Sequence, residues 1–461
     1  MTRHLYFQLF LFSSWILASA LAAPTPMDAK LTENGITTIE CNVRDPNEIV
    51  LIHQGIQKKD SSENEAKFKA TRMDGYHYNL YLPKGYFTHK TSRYPCMFIA
   101  SPGGSAGMSG FDTRFKRDEW IVVMLKESRN GDYCFIHNFL AAHDDVVQRV
   151  RIASGAKFLT GMSGGSRCSS FNAALRPGIA GLICQAAAFA DYKAERSLKN
   201  NQEQNWISSL DISAFPPELR VAGSFGDGDG NFFESHCLRR LLKYPHVQVR
   251  IFKGGHAWAP PANFDLLMDW MEEDLFAGLP KQSNKPEASP VCPEESVMLQ
   301  NSSMQKTFEP LGADAFLWYL RKCRGLLDET PAIPARYLML ERMLSVCKKG
   351  NLGSNKEIAV EEQAWLAEYR KLKDSPEITA FESGARKAFT EAQAAEATYM
   401  ELMSRDRRVF RDMPLSSAER TALSTAIAAY RTAADKYATA PFANLAKSTA
   451  IALDLELSKF E

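Results

Sequence analysis

Ala156-Lys157-Phe158-Leu159-Thr160-Gly161-Met162-Ser163-Gly164-Gly165-Ser166 decides how this chain is read. Its first five residues form a short, largely apolar strand. Ser166 to Leu175 has helical spacing and stops at Arg176-Pro177-Gly178. Between them lies G-x-S-x-G. A serine on so sharp a turn projects its hydroxyl away from the backbone. Glycines are needed around it because a side chain there would strike the adjoining strand and helix. Ser163 is therefore the candidate nucleophile.

A serine hydroxyl at neutral pH needs a base to take its proton, a group to orient that base, and donors for the oxyanion. Working outward, the sequence offers each. The apolar run Val221-Ala222-Gly223-Ser224-Phe225 is followed by Gly226-Asp227-Gly228-Asp229, a loose turn bearing two carboxylates. The strand Val247 to Phe252 is followed by Lys253-Gly254-Gly255-His256-Ala257-Trp258. Upstream, Tyr94 to Ala100 is apolar throughout, as expected of a strand buried on both faces, and leads into Ser101-Pro102-Gly103-Gly104-Ser105-Ala106-Gly107. From about Ile36 to Phe276 strands and helices alternate, which predicts an α/β sheet covered on both faces. Further strands are expected at Tyr76 to Leu82, Trp120 to Leu125 and Ile179 to Cys184, with helices over Phe135 to Val150 and Asn263 to Phe276.

On these motifs the run from Tyr76 to Phe276 resembles the α/β-hydrolase superfamily. It is most similar to secreted esterases of the dienelactone-hydrolase, feruloyl-esterase and polyhydroxybutyrate-depolymerase type. Asp74-Gly75-Tyr76, Tyr81-Leu82-Pro83-Lys84-Gly85-Tyr86, Gly103-Gly104, the elbow and Gly254-Gly255-His256 stand in the family's order. The resemblance implies Ser163 as nucleophile, His256 as general base and acid, and Asp229 as the orienting acid, with Asp227 its competitor. Asp229 is preferred because Gly226 to Asp229 satisfies the family's G-x-x-D pattern. The oxyanion donors it implies are the N–H groups of Gly164 and Gly103, with Gly104 the alternate. The family begins that loop with His-Gly, whereas this chain has Ser101-Pro102, and proline has no N–H. Trp258, beside the base, either walls the acyl pocket or belongs to the core. The mechanism implied needs no metal and no organic cofactor.

The rest of the sequence bounds this reading. Basic and acidic residues nearly cancel, 55 against 54, so no global field draws the chain to nucleic acid. Residues 1–22 read as a secretory signal. Arg3 and His4 precede an apolar run, Ala20-Leu21-Ala22 is a small-x-small cleavage site, and the run is too short to anchor the chain in a bilayer. The mature chain is then secreted or periplasmic, with no integral membrane span.

The nine cysteines show no metal spacing. Cys96, Cys168 and Cys184 are expected to be small buried hydrophobes, and a bridge among Cys292, Cys323 and Cys347 is open. His143-Asp144-Asp145 is expected on a solvated helix face. Arg167 is expected to pair with a carboxylate. Phe189 to Pro217 is short and polar, which argues against a large lid.

The domains expected are a catalytic unit over 23–277, a linker over 278–295, and an all-helical unit over 296–461. Thr421 to Leu455 resembles a tetratricopeptide-like hairpin within an ordinary bundle, where protein contacts would be made. The expected activity is hydrolysis of carboxylic esters, small or polysaccharide-linked, through an acyl-enzyme. A peptidase of prolyl-oligopeptidase type and a non-catalytic scaffold with a vestigial site are the alternatives.

Overall fold

The structure is a computed structural model that describes residues 31–41, 76–130, 135–188, 215, 219–242, 246–278, 309–405 and 414–460. The expected signal, the linker beyond Gly278, Cys292 and nearly all of 189–217 lie outside them. Eight strands build one sheet: β1 (Ile36–Glu40), β2 (His77–Tyr81), β3 (Tyr94–Ala100), β4 (Ile121–Leu125), β5 (Ile152–Met162), β6 (Ile179–Gln185), β7 (Arg220–Gly226) and β8 (Val247–Phe252). Their order is β1-β2-β4-β3-β5-β6-β7-β8. Only the pairings of β2 are antiparallel. This is an α/β-hydrolase fold. Every residue of β3, β4, β6 and β8 is buried, which is why these strands read as continuous apolar runs.

Register places the helices. Gly161 pairs with Cys184, and Cys184 with Gly223, so these three point to one face. There they meet α3 (Gly164–Leu175) and α4 (Glu234–Leu241): a Cβ on Gly161 would touch Gly165, and one on Gly223 would touch Leu238. A Cβ on Gly181, facing the other way, would touch Met271 of α5 (Pro261–Glu272). With α5 lie α1 (Asp112–Arg117) and α6 (Ala313–Asp328). Arg114 of α1 pairs with Asp269 and Glu272 of α5, and Lys322 of α6 reaches Asp118 at 2.8 Å. Trp318 of α6 meets Trp120 edge to face at 5.3 Å, directly over the sheet. Between β4 and β5, α2 (Phe135–Arg149) packs on α3.

The chain continues as α7 (Ile333–Lys349), α8 (Lys356–Lys373), α9 (Pro376–Phe381), α10 (Lys387–Arg405), α11 (Ser417–Lys436) and α12 (Ala443–Leu457). Their starts are written locally. Asn355 caps α8, Ser375 caps α9 ahead of Pro376, and Ser416 with Glu419 forms a capping box on α11. No strand occurs after β8 among the described residues.

The helical region lies directly on the sheet and shares its hydrophobic core. It is fastened at two places. At the start of β5 the ladder is irregular and Gly155 takes φ +67°. There Ser154 N–H donates to Asp314, Gly155 N–H to Glu309 at 3.1 Å, and Gly312 N–H to Ser154 O at 2.9 Å. A Cβ on Gly155 would sit 2.4 Å from Pro310 O, so only glycine lets the two segments close. At the β8 edge of the sheet, Arg239 and Arg240 of α4 and Arg250 of β8 are buried against Glu456, Glu419 and Glu396 of α12, α11 and α10. Tyr399 and Tyr430 donate to Glu456 and Glu396 at 2.6 Å each.

Two smaller expectations meet the structure here. His143 and Asp145 are buried, not solvated: His143 stacks on Phe98, and Asp145 accepts from Tyr78 at 2.8 Å. The helical spacing is real, but that face of α2 lies against β2 and β3 of the sheet. Cys96, Cys168 and Cys184 are buried, while Cys323 and Cys347 are free thiols and not a bridge. Burial pushes the Cys96 and Cys168 thiols upward, which keeps both protonated. No helix among the described residues is long and apolar enough to cross a membrane.

Candidate active site

Ser163 stands at the C-terminal end of β5 with φ 54° and ψ −121°, a conformation that costs a non-glycine residue about 1–3 kcal/mol. Close packing holds it there. A Cβ on Gly161 would lie 2.3 Å from the Gly165 carbonyl carbon, and one on Gly165 would lie 2.4 Å from Ala100 O. The helix thus starts hard against the ends of β3 and β5. Ser163 N–H donates to Gln185 O at 2.8 Å. Ser163 Oγ has no hydrogen-bond partner among the described residues.

The loops after β7 and β8 are zipped together. Gly228 N–H donates to Gly254 O at 2.7 Å, and a Cβ on Gly226 would lie 2.4 Å from the carbonyls of Gly254 and Gly255. This brings Asp229 and His256 together: His256 Nδ1 lies 2.9 Å from Asp229 Oδ1, with the carboxylate buried and the imidazole 41% exposed. An Nδ1–H donated to a buried carboxylate leaves Nε2 as an acceptor facing outward. Asp229 Oδ1 also accepts from Asn231 N–H at 2.8 Å. Asp227 is engaged otherwise, holding Lys253 at 2.6 Å and Gly254 N–H at 2.9 Å.

The structure thus joins the expected acid and base. It sets the expected nucleophile at the end of β5, separated from β7 by β6, without a bond from its hydroxyl to the imidazole. Such bonds are often long before substrate arrives.

The loop after β3 adjoins the elbow. Gly103–Gly104 pairs with Ser128–Arg129 as a two-residue antiparallel ladder. Gly104 N–H is committed to Ser101 O at 3.0 Å, while Gly103 is exposed. Gly164 opens α3, so its N–H has no helical carbonyl before it. Trp258 is half-buried, edge-on to Phe111 at 6.1 Å, so it joins the core and the rim of the site at once. Arg167 is bound to Glu234, whose other oxygen accepts from Ala188 N–H at 2.8 Å. No three His, Cys, Asp or Glu side chains among the described residues are placed to hold a metal ion.

One buried residue that the sequence did not single out ties the site together. Gln185, at the end of β6, accepts the Ser163 N–H on its carbonyl. Its side-chain Oε1 accepts from Ala259 N–H at 2.9 Å and its Nε2 donates to Thr160 at 3.0 Å. It therefore spans the elbow and the histidine loop. The available signal was a glutamine ending an apolar buried strand, where its amide must find partners.

No family model and no curated protein matches the chain. Solved structures do align. One is a Klebsiella pneumoniae protein assigned as a dienelactone hydrolase: 12% identity, 52% of this chain and 99% of that one, TM-score 0.35. A ferulic acid esterase aligns at 14% identity over 52% and 99%, TM-score 0.35. Est1E from Butyrivibrio proteoclasticus aligns at 14% identity over 43% and 92%, TM-score 0.34. Likeness at this level says nothing of substrate or of residue roles.

Proposed function

We propose that the protein is a serine hydrolase that cleaves carboxylic esters through Ser163, His256 and Asp229. The observation that carries this reading is the 2.9 Å contact between His256 Nδ1 and buried Asp229, together with a serine held at positive φ on a strand–helix elbow of the same sheet.

In the proposed cycle, Ser163 Oγ attacks the ester carbonyl carbon and its proton passes to His256 Nε2. The carbonyl π pair becomes an oxyanion held by the N–H groups of Gly164 and Gly103. Asp229 stabilises the imidazolium without taking its proton. His256 then protonates the departing alcohol, and water repeats the sequence on the acyl-enzyme. The esters it would take are carried on a small molecule or a polysaccharide. A leader over 1–22 would make this activity secreted or periplasmic.

The test is labelling by a fluorophosphonate together with turnover of a panel of aryl and acyl esters. Wild type should label and hydrolyse, while Ser163→Ala should not label. Ser163→Ala and His256→Ala should each lose several orders of magnitude in kcat, since the two act as a unit. A folded Ser163→Ala protein that still hydrolyses at the wild-type rate sinks the assignment.

A further inference from the structure

We propose that the side-chain amide of Asn130 is a third donor to the oxyanion, beside the N–H groups of Gly164 and Gly103; this rests on the serine-hydrolase reading above. Asn130 follows the short strand Ser128–Arg129, and its own N–H donates to Pro102 O at 3.0 Å. Its side chain crosses to the elbow. A Cβ added to Gly164 would meet Asn130 Oδ1 at 1.6 Å, Cγ at 2.4 Å and Nδ2 at 2.7 Å. The amide therefore occupies the room that a side chain would take on the residue after the nucleophile. One residue thus touches both halves of the oxyanion site: the Pro102–Gly103 backbone on one side and Gly164 on the other.

The segment that carries Asn130 is held firmly. Ser128 Oγ donates to Gly104 O at 3.2 Å. Glu127 accepts from His77 N–H at 2.8 Å and from Asn138 Nδ2 at 3.0 Å, while its own N–H donates to Asn138 Oδ1 at 3.2 Å. The Asn130 amide has no hydrogen-bond partner among the described residues. It can turn about its last torsion and offer either atom to a ligand.

A negative oxygen selects Nδ2–H. As the Ser163 Oγ–carbon bond forms, the proton goes to His256 and the carbonyl pair localises on oxygen. The amide then gains a charge-assisted bond that it lacks with the neutral ester. Glycine at 164 is what makes room for it.

The experiment compares wild type, Asn130→Ala and Asn130→Asp as full-length chains. It measures kcat and KM on p-nitrophenyl acetate, inhibition by a trifluoromethyl ketone, and Tm. The ketone's adduct with Ser163 places an anionic oxygen at the same point. Asn130→Asp keeps the shape but removes the donor.

Both variants should lose about 10²–10³ in kcat with little change in KM. Ketone affinity should fall in step with kcat/KM, and Tm should hold because the residue is exposed. The proposal is overturned if either variant keeps kcat within about threefold of wild type. It is also overturned if kcat falls while ketone affinity does not, since the residue would then only shape the loop. If wild type itself neither turns over the ester nor labels at Ser163, the serine-hydrolase reading has failed and this proposal falls with it.

Discussion

Two carboxylates two residues apart, Asp227 and Asp229, end up in different chemical positions. Gly226 and Gly228 let the turn fold so that Asp229 goes inward to His256 while Asp227 stays near the surface on Lys253. Burial acts to raise the Asp227 carboxyl, but Lys253 and the Gly254 N–H more than offset it and hold it below the usual carboxylate range. Asp229→Asn should therefore cost on the order of 10⁴ in kcat, as loss of an orienting aspartate does in serine proteases. Asp227→Asn should cost far less and act mainly on loop stability. Steady-state kinetics of the two variants decide it, and the opposite ranking would transfer the role to Asp227. The elbow, the acid turn and the histidine loop were legible because glycines mark each of them in the sequence. Gln185 and Asn130 were not, because each acts through residues far away along the chain.

Among the elements, the interface between α4 and the last helices depends on buried charge. Arg239 and Glu456 meet at 2.7 Å with almost no exposure, and Tyr399 also donates to the carboxylate. Burial alone would raise the Glu456 carboxyl, but Arg239 and His236 more than offset it and lower it. Removing one partner strands the other, at a cost of about 3–5 kcal/mol. Glu456→Leu should destabilise by roughly that amount in urea denaturation, and adding Arg239→Met should recover most of the loss. Equal stability of the single and double variants would show that the pair is not coupled. Sequence pattern located these helices but not their seat, since a glutamate on a helix reads as a solvated residue until its arginine is known. The first half of β5 was missed for a related reason. Ser154 and Gly155 look like a break, yet their N–H groups are satisfied by Asp314 and Glu309.

Across the whole molecule, buried titratable groups set the acid limit of stability. Burial, offset in part by Asp144, pushes His143 down to about 4, whereas the unfolded chain takes that proton near pH ~6.5. The unfolded state binds the proton first as pH falls, so this contribution is lost from about pH 6.5 downward. Burial would raise Asp118, but Arg117, Lys322 and Arg114 hold it at about 2, below the unfolded ~3.9. Its contribution is present above about pH 4 and is lost as pH falls toward 2. Tm measured against pH should decline in these two stages, and His143→Phe should flatten the first. A Tm that stays constant from about pH 7 to pH 3 would contradict both.

The placement of α6 also bears on how the chain comes into being. The nucleophile strand is complete once Met162 is made, but its opening residues are capped by Glu309, Gly312 and Asp314, and Trp120 is covered by Trp318. A nascent chain that has delivered every strand through β8 thus still lacks α6 as cover for its sheet. Until α6 emerges, Trp120 and the sheet face around it stay uncovered, and apolar surface exposed in this way favours aggregation. Completion of the covered sheet face therefore waits on α6, which follows every strand of the sheet along the chain.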